Sequence, residues 1–383
     1  MHLNDERNFW GITTFFNPAG YSNKIRNYKV FRNSSKKQGL KLLAVELAYG
    51  DKPFELSEDD ADILIQIRAD DGNLLWQKER MLNIGLSKLP GNCDKIAWLD
   101  CDVIFKNNDW VKETVKLLEK YKVVQLFKEC VWLRDGERDI KSIEKLPFGN
   151  KDGQKMHSRI CGAIEGRNLS SFFEAGHTGF AWASRRDVFG GIGFYDKNIM
   201  GSGDLFMAHA FCAFENDHHF RHLTEGAIED YLGWSREISK RVGGKISYTD
   251  GVLLHLWHGK KENRNYDSRH LTIKRYKFDP AKDIIIDKNG LWRWSKNNPE
   301  MYHEAKKYFL SRNEDGNLYR ELTNFISRNF SISDLPFRIK SSIKSRADRT
   351  MGFFGILIKK VSPSIYYRLK TYLPGDSSQK KKD

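Results

Sequence analysis

The chain has 383 residues, with 64 Lys or Arg against 50 Asp or Glu and a formal charge of +14. That length holds one large domain or two ordinary ones, and five scattered cysteines without C-x-x-C spacing argue against a disulfide framework or a structural zinc. No run approaches the roughly 18 apolar residues of a membrane span, and the start, MHLNDERNFW, is polar, so the expectation is a cytoplasmic protein, at most peripheral at the membrane face.

In chain order, WGITTFF (10–16), LKLLAVEL (40–47) and DILIQIR (62–68) read as strands rich in apolar and β-branched residues. Between the first two, Tyr21, Ile25, Tyr28 and Arg32 recur at helical spacing. A second helix follows Asn73, with Leu75, Leu82, Leu86 and Leu89 on one face and Pro90-Gly91 ending it. IAWLDCDVIF (96–105) reads as one apolar strand, a helix follows from Asn108 or Asp109 with Val111, Val115 and Leu118 inward, and Val123 to Phe127 is another strand. This alternation predicts an α/β layer, a mixed and mostly parallel central sheet flanked by helices.

Residues 132–168 are charged and glycine-containing, which predicts long loops. From Gly176 to about Arg269 glycines and aromatics are dense, a composition that fits either ring platforms around a ligand or an irregular core. The polar SRNEDGNLYR (311–320) marks a boundary between a catalytic domain, 1–310, and a basic, partly amphipathic helical extension, 311–383. From Phe330 to Asp383 there are twelve Lys or Arg against four Asp or Glu, a surplus of eight that is more than half of the whole. Interspersed with Phe337, Ile339, Phe353, Phe354 and Tyr366, these residues suit an anionic membrane surface, or else a flexible extension or helical cap. Concentration of the charge in a tail argues against nucleic acid as partner.

Asp100 and Asp102 end the fourth strand. Residues two apart on a strand point the same way, and two close carboxylates repel unless a cation or solvent relieves them. In open α/β sheets the ligand crevice lies beyond the carboxyl ends of the strands, where hard oxygen ligands suit Mg²⁺ or Mn²⁺. The plain alternative is a solvated turn. His255 and His258, in VLLHLWHG, are three apart, so on an extended strand they face opposite sides and only one joins such an ion.

Four stretches carry a resemblance. LDCDVIF resembles the D-x-D motif of nucleotide-sugar-dependent glycosyltransferases of the GT-A fold, and WQKERMLNIGL is similar to their R-N-x-G helix, with Arg80 and Asn83 on one face. GHTGFAWASRRDVFGGIGFYDKNIMGSGDLFMAHAF and GKISYTDGVLLHLWHGKKENRNYDSRH resemble the Gly-rich turn with its acid and the closing histidine strand of β-1,4-galactosyltransferase-like enzymes. The resemblance covers about residues 9–270 and implies a GT-A fold and transfer of a hexose-type sugar, with inversion, from a nucleoside diphosphate, most often UDP, to a glycan or lipid-linked acceptor hydroxyl, dependent on Mn²⁺ or Mg²⁺. It implies direct metal contact from Asp102 with Asp100 acting through water or on the ribose, His255 or His258 completing the shell, and nucleotide contacts from Thr13, Arg80, Asn83, Arg264, Tyr266 and Arg269, with Lys260 and Lys261 nearby. Asp204 is the implied general base, or a plain helix N-cap, and His177, Trp182, Gly203 and Asp230, with Glu229 beside it, the implied sugar or acceptor contacts. In one respect the chain departs: such enzymes usually carry Glu-Asp after the glycines, and here Gly201-Ser202-Gly203 leads to Asp204 alone.

Overall fold

The computed structural model describes residues 6–146, 155–168, 175–215, 220, 223–266, 268–295 and 299–317. The basic tail from Phe330 and its membrane reading lie outside them. Two compact units divide the chain, Met1–Asp315 and Gly316–Asp383. Residues 311–315, grouped on sequence with the extension, pack within the first.

FWGITTFF and LLAVELAY form β1 (Phe9–Phe16) and β2 (Leu42–Tyr49), buried almost throughout, as parallel strands covered on both faces are. Helix α1 (Ser22–Lys37) joins them, β3 (Ile63–Ala69) follows, and α2 (Lys78–Lys88) leads to β4 (Lys95–Leu99). Then come β5 (Val103–Phe105), α3 (Trp110–Lys120) and β6 (Val123–Gln125). β7 (Glu129–Trp132) follows, and the stretch expected to be loops contains β8 (Lys155–His157) and a short α4 (Arg159–Ile164). The Gly-aromatic region holds β9 (Ala181–Arg185), α5 (Gly203–Phe211), α6 (Glu225–Val242), β10 (Ile246–Tyr248) and β11 (Val252–His255). Helices α7 (Ser268–Arg275) and α8 (Pro280–Asp283), the hairpin β12 (Ile284–Ile286) and β13 (Trp292–Trp294), and α9 (Pro299–Ser311) complete the described part.

The main sheet runs β10-β6-β9-β4-β1-β2-β3. Its pairings are parallel except where β9 inserts between β4 and β6, so the mixed, mostly parallel α/β architecture expected from the alternation is present. One apolar cluster, with Ile12, Leu43, Met81, Trp98, Trp182 and Phe211, fills one side of the sheet, and another, with Phe9, Phe31, Leu99, Trp110 and Phe127, the other.

The stretch 96–105 is not one strand. β4 stops at Leu99, the chain turns through Asp100, Cys101 and Asp102, and β5 joins a second sheet, β5-β11-β7-β8. The turn is pinned on both sides: the Asp100 N–H donates to the Phe180 carbonyl at 2.8 Å, and the Leu256 N–H to the Asp102 carbonyl at 2.8 Å. An elbow between two sheets has no strand pleat, so the two acids are released from a common face.

Trp182, expected as a sugar platform, is instead core. It is 1% exposed, its ring stacks on Trp98 with centroids 6.2 Å apart, and its Nε1–H donates to the Thr178 carbonyl. Trp182→Ala is expected to lower unfolding free energy by about 3–5 kcal/mol, read from the midpoint of urea denaturation at unchanged slope.

Candidate active site

The elbow separates its two acids. Asp102 meets both histidines: His258 Nδ1 lies 2.9 Å from its Oδ2, and His255 Nε2 lies 3.7 Å from its Oδ1. One ligand atom from each of the three residues falls within 4.8 Å of the others. The expectation that the histidines face opposite ways fails because β11 ends at His255. The next three residues leave the strand geometry, and the two rings close to 4.5 Å between centroids.

Burial opposes the charge on all three groups, with different outcomes. It depresses His255 well below the usual imidazole range, with Asp102 only partly offsetting it, and depresses His258 with help from Arg264. For Asp102 the facing imidazoles outweigh burial and hold the carboxyl well below the usual range. Metal binding takes the ionised carboxylate and releases any imidazole proton, and burial already favours the neutral imidazoles it needs. Asp102 Oδ1 is buried and makes no hydrogen bond, which a cation at this point would remedy. One carboxylate oxygen and two imidazole nitrogens fit Mn²⁺ better than Mg²⁺, which prefers an all-oxygen shell.

Asp100 turns the other way, to a residue the sequence reading passed over. Lys78 Nζ lies 2.6 Å from Asp100 Oδ1 and 3.0 to 3.1 Å from both oxygens of Asp204. Burial penalises the lysine cation, but the two carboxylates outweigh this and hold it well above its ordinary value. Glu79 is also buried, its carboxyl lying flat on Gly203: a Cβ there would come within 2.3 Å of Glu79 Oε1. Gly203, expected to admit a sugar, thus admits Glu79. Burial pushes Glu79 up to about 8, Lys78 lowering it and Asp204 raising it, while Asp100 is pushed up to about 6 mainly by burial. A signal for both residues existed: Lys78 and Glu79 stand three and four residues after Leu75, on the stripe carrying the inward leucines.

Asp204 sits in the first turn of α5, whose N-cap, Ser202, accepts no capping hydrogen bond on its side chain and adopts a left-handed φ of 74°. Ser202 Oγ accepts from Arg269 Nη2 at 2.6 Å and lies 3.0 Å from His270 Nε2. Gly179 stands between His177 and Asp204, so His177 borders the same crevice. Its ring stacks at 4.0 Å on Phe180, which stacks at 4.5 Å on His255, and burial followed by Lys261 and Lys78 pushes His177 down to about 3. Phe180 takes a φ of 81°, strained for an aromatic residue and held by this ring ladder.

The remaining expected contacts are tied up elsewhere. Thr13 is fully buried, its hydroxyl donating to the Leu99 carbonyl at 2.8 Å, which locks β1 to β4. Arg80 and Asn83 both donate to Asp196 Oδ2, at 3.2 and 2.8 Å, and fasten the loop before α5 to α2. Arg264 is buried, donating to the His258 carbonyl and pairing with Glu314 at 3.1 Å, and Arg269 also donates to the Tyr308 hydroxyl at 2.8 Å. Of Arg264, Tyr266 and Arg269, Tyr266 is the open one, 57% exposed with Arg269 over its ring. Asp230 pairs with Lys197 at 2.5 Å, and Glu229 lines an open surface groove with Ile228, Leu232 and Arg236.

No family model matches the chain, and no curated protein matches it. Among solved structures it overlays on S. aureus TarS 1–349 in complex with UDP-GlcNAc at 12% identity, over 93% of this chain and 82% of that one, with a TM-score of 0.36. It overlays on Mycobacterium tuberculosis glucosyl-3-phosphoglycerate synthase, in complex with Mn²⁺, UDP-glucose and phosphoglyceric acid, at 12% identity over 75% and 85% of the chains, with a TM-score of 0.35. Overlays this loose carry no conclusion about fold family or activity.

The Glu79 carboxyl gives a pH test. Its folded value, about 8 against an ordinary 4.5, means that the folded protein holds a proton the unfolded chain has lost between those limits. Stability therefore falls as pH rises through that window. Glu79→Gln is expected to remove up to about 1.4 kcal/mol per pH unit of that slope, read from urea denaturation at a series of pH values.

Proposed function

We propose that the chain is a metal-dependent glycosyltransferase of GT-A type that moves a hexose-type sugar from a nucleoside diphosphate, UDP by preference, to an acceptor hydroxyl with inversion. The observation that carries this reading is the Asp102–His255–His258 cluster at the elbow beyond β4, with Asp204 held near it by a lysine shared with Asp100. The order of the four sequence resemblances supports it. The acceptor on this reading is a glycan or lipid-linked hydroxyl, and the basic tail serves to keep the protein at an anionic membrane surface.

Asp102, His255 and His258 would hold Mn²⁺, which when bound supplies positive charge to a leaving diphosphate. Lys78 neutralises the acid pair on the adjoining wall and fixes the Asp204 carboxylate at two points, so that it is oriented before an acceptor arrives. Asp204 takes the acceptor proton as the new bond to the anomeric carbon forms. The single acid after the glycines leaves no second carboxylate on α5 to share that role. His177 and the ring ladder wall the crevice and keep water from the donor.

The test is consumption of UDP-sugars by the full chain with and without Mn²⁺, resolved by product NMR of the anomeric linkage. The reading expects Mn²⁺-dependent release of UDP, an inverted linkage when acceptor is present, and a fall in kcat of about 10²–10⁴-fold for Asp204→Asn without loss of Mn²⁺ affinity. No turnover of any nucleotide sugar with any divalent metal would sink it.

A further inference from the structure

Tyr308 to Asp315, at the end of α9 and just beyond, form a strap that touches three edges of the crevice. Tyr21 Oη, after β1, donates to the Phe309 and Leu310 carbonyls at 2.9 and 2.8 Å, and Asp315 accepts from the Ser22 and Asn23 N–H groups at 3.0 and 2.7 Å. Phe309 stacks on Trp76, before α2, with ring planes 5° apart. On the histidine side, Gly259 packs so closely on the strap that a Cβ would lie 2.6 Å from the Asn313 carbonyl oxygen.

Inside the strap, Glu314 is 1% exposed and faces three cations. Its Oε1 accepts from Arg312 Nε at 2.7 Å and Arg264 Nη1 at 3.1 Å. Its Oε2 makes no hydrogen bond, with Lys24 Nζ 3.7 Å away. One carboxylate therefore answers three cations and leaves a buried oxygen unbonded, an arrangement that costs free energy in a low-dielectric site. The surplus positive charge is felt nearby: although burial pushes the Tyr308 phenol up, Arg269, Arg312 and Arg264 bring it down to about 8. The space left between Lys24, Trp76, Arg312 and Glu314 is about 10 Å³, no more than one water needs. Because Arg264 also donates to the His258 carbonyl, this pocket adjoins the Asp102 cluster.

We propose that the Lys24, Arg264 and Arg312 pocket is an anion subsite for a phosphate of the nucleoside diphosphate, and that Glu314 is the chain's own occupant of it, its side chain displaced when phosphate enters while Arg312 stays in place. The identity of the ligand rests on the glycosyltransferase reading; the occupancy by Glu314 rests on geometry alone. A phosphate brings more charge and more oxygens than a carboxylate, and so answers the cations that Glu314 leaves under-matched. The strap then loosens around Glu314 on binding, and the return of that carboxylate expels the product diphosphate.

The experiment uses inorganic pyrophosphate with the full chain in metal-free buffer, so that it needs neither Mn²⁺ nor sugar transfer and stands or falls apart from the turnover assay. Calorimetry is expected to show about tenfold tighter binding to Glu314→Gln than to wild type, about 1.4 kcal/mol. Hydrogen exchange of the wild-type chain is expected to show residues 308–315 exchanging faster when pyrophosphate is bound. Equal or weaker binding by a natively folded Glu314→Gln, no binding to wild type at millimolar pyrophosphate, or slower exchange at 308–315 would each overturn the proposal. Should Glu314→Gln fail to fold, the wild-type exchange result decides.

Discussion

Two carboxylates one residue apart cannot both stay ionised in a shared, poorly hydrated crevice, and the molecule meets this constraint by bending the chain between them. The hydrogen bonds Asp100 N–H to Phe180 and Leu256 N–H to Asp102 hold the bend. Asp100 is thereby given to Lys78 and Asp102 to the two histidines. Each acid acquires its own counter-group, and the two halves of the site become distinct: one an ion-binding cluster, the other a lysine-centred acid pair that carries Asp204.

The rest of the architecture serves that division. Parallel strands β1 and β4, locked by Thr13, bring the elbow to the carboxyl edge of the main sheet, where such sheets leave their crevice. The second sheet, through β11, delivers His255 opposite Val103 and lets His258 fold back. Arg264 and Arg269 act on backbone and hydroxyl groups of the chain itself, one fastening the His258 carbonyl, the other the Ser202 turn that begins α5. Arginine suits both tasks because its fork donates in several directions at once.

Much of this was legible before any coordinates. The alternation of apolar strands and amphipathic helices specifies β1 to β3 and α1 to α3 to within a few residues, and spacing and resemblance single out Asp102, Asp204, His255 and His258. What escaped was anything decided by tertiary pairing. No local pattern distinguishes a strand from an elbow within IAWLDCDVIF, since both halves are apolar and only the change of sheet partner breaks it. That Arg80 and Asn83 bond Asp196, and Arg264 bonds Glu314, was not visible in the sequence, because these partners lie more than 45 residues away. SRNEDGNLYR reads as a domain boundary for its polarity, although Arg312 and Glu314 are buried and bond to each other. Lys78 and Glu79, charged positions on an apolar stripe, were the visible anomaly.

The central claim is that the elbow assigns the cation to Asp102 and not to Asp100. Mn²⁺ binding followed by the electron paramagnetic resonance signal of the free ion, in wild type, Asp102→Asn and Asp100→Asn, tests it most directly. The account predicts that Asp102→Asn abolishes binding while Asp100→Asn, folded and with Lys78 still opposite Asp204, retains it; equal loss in the two variants, or binding untouched by Asp102→Asn, would contradict it.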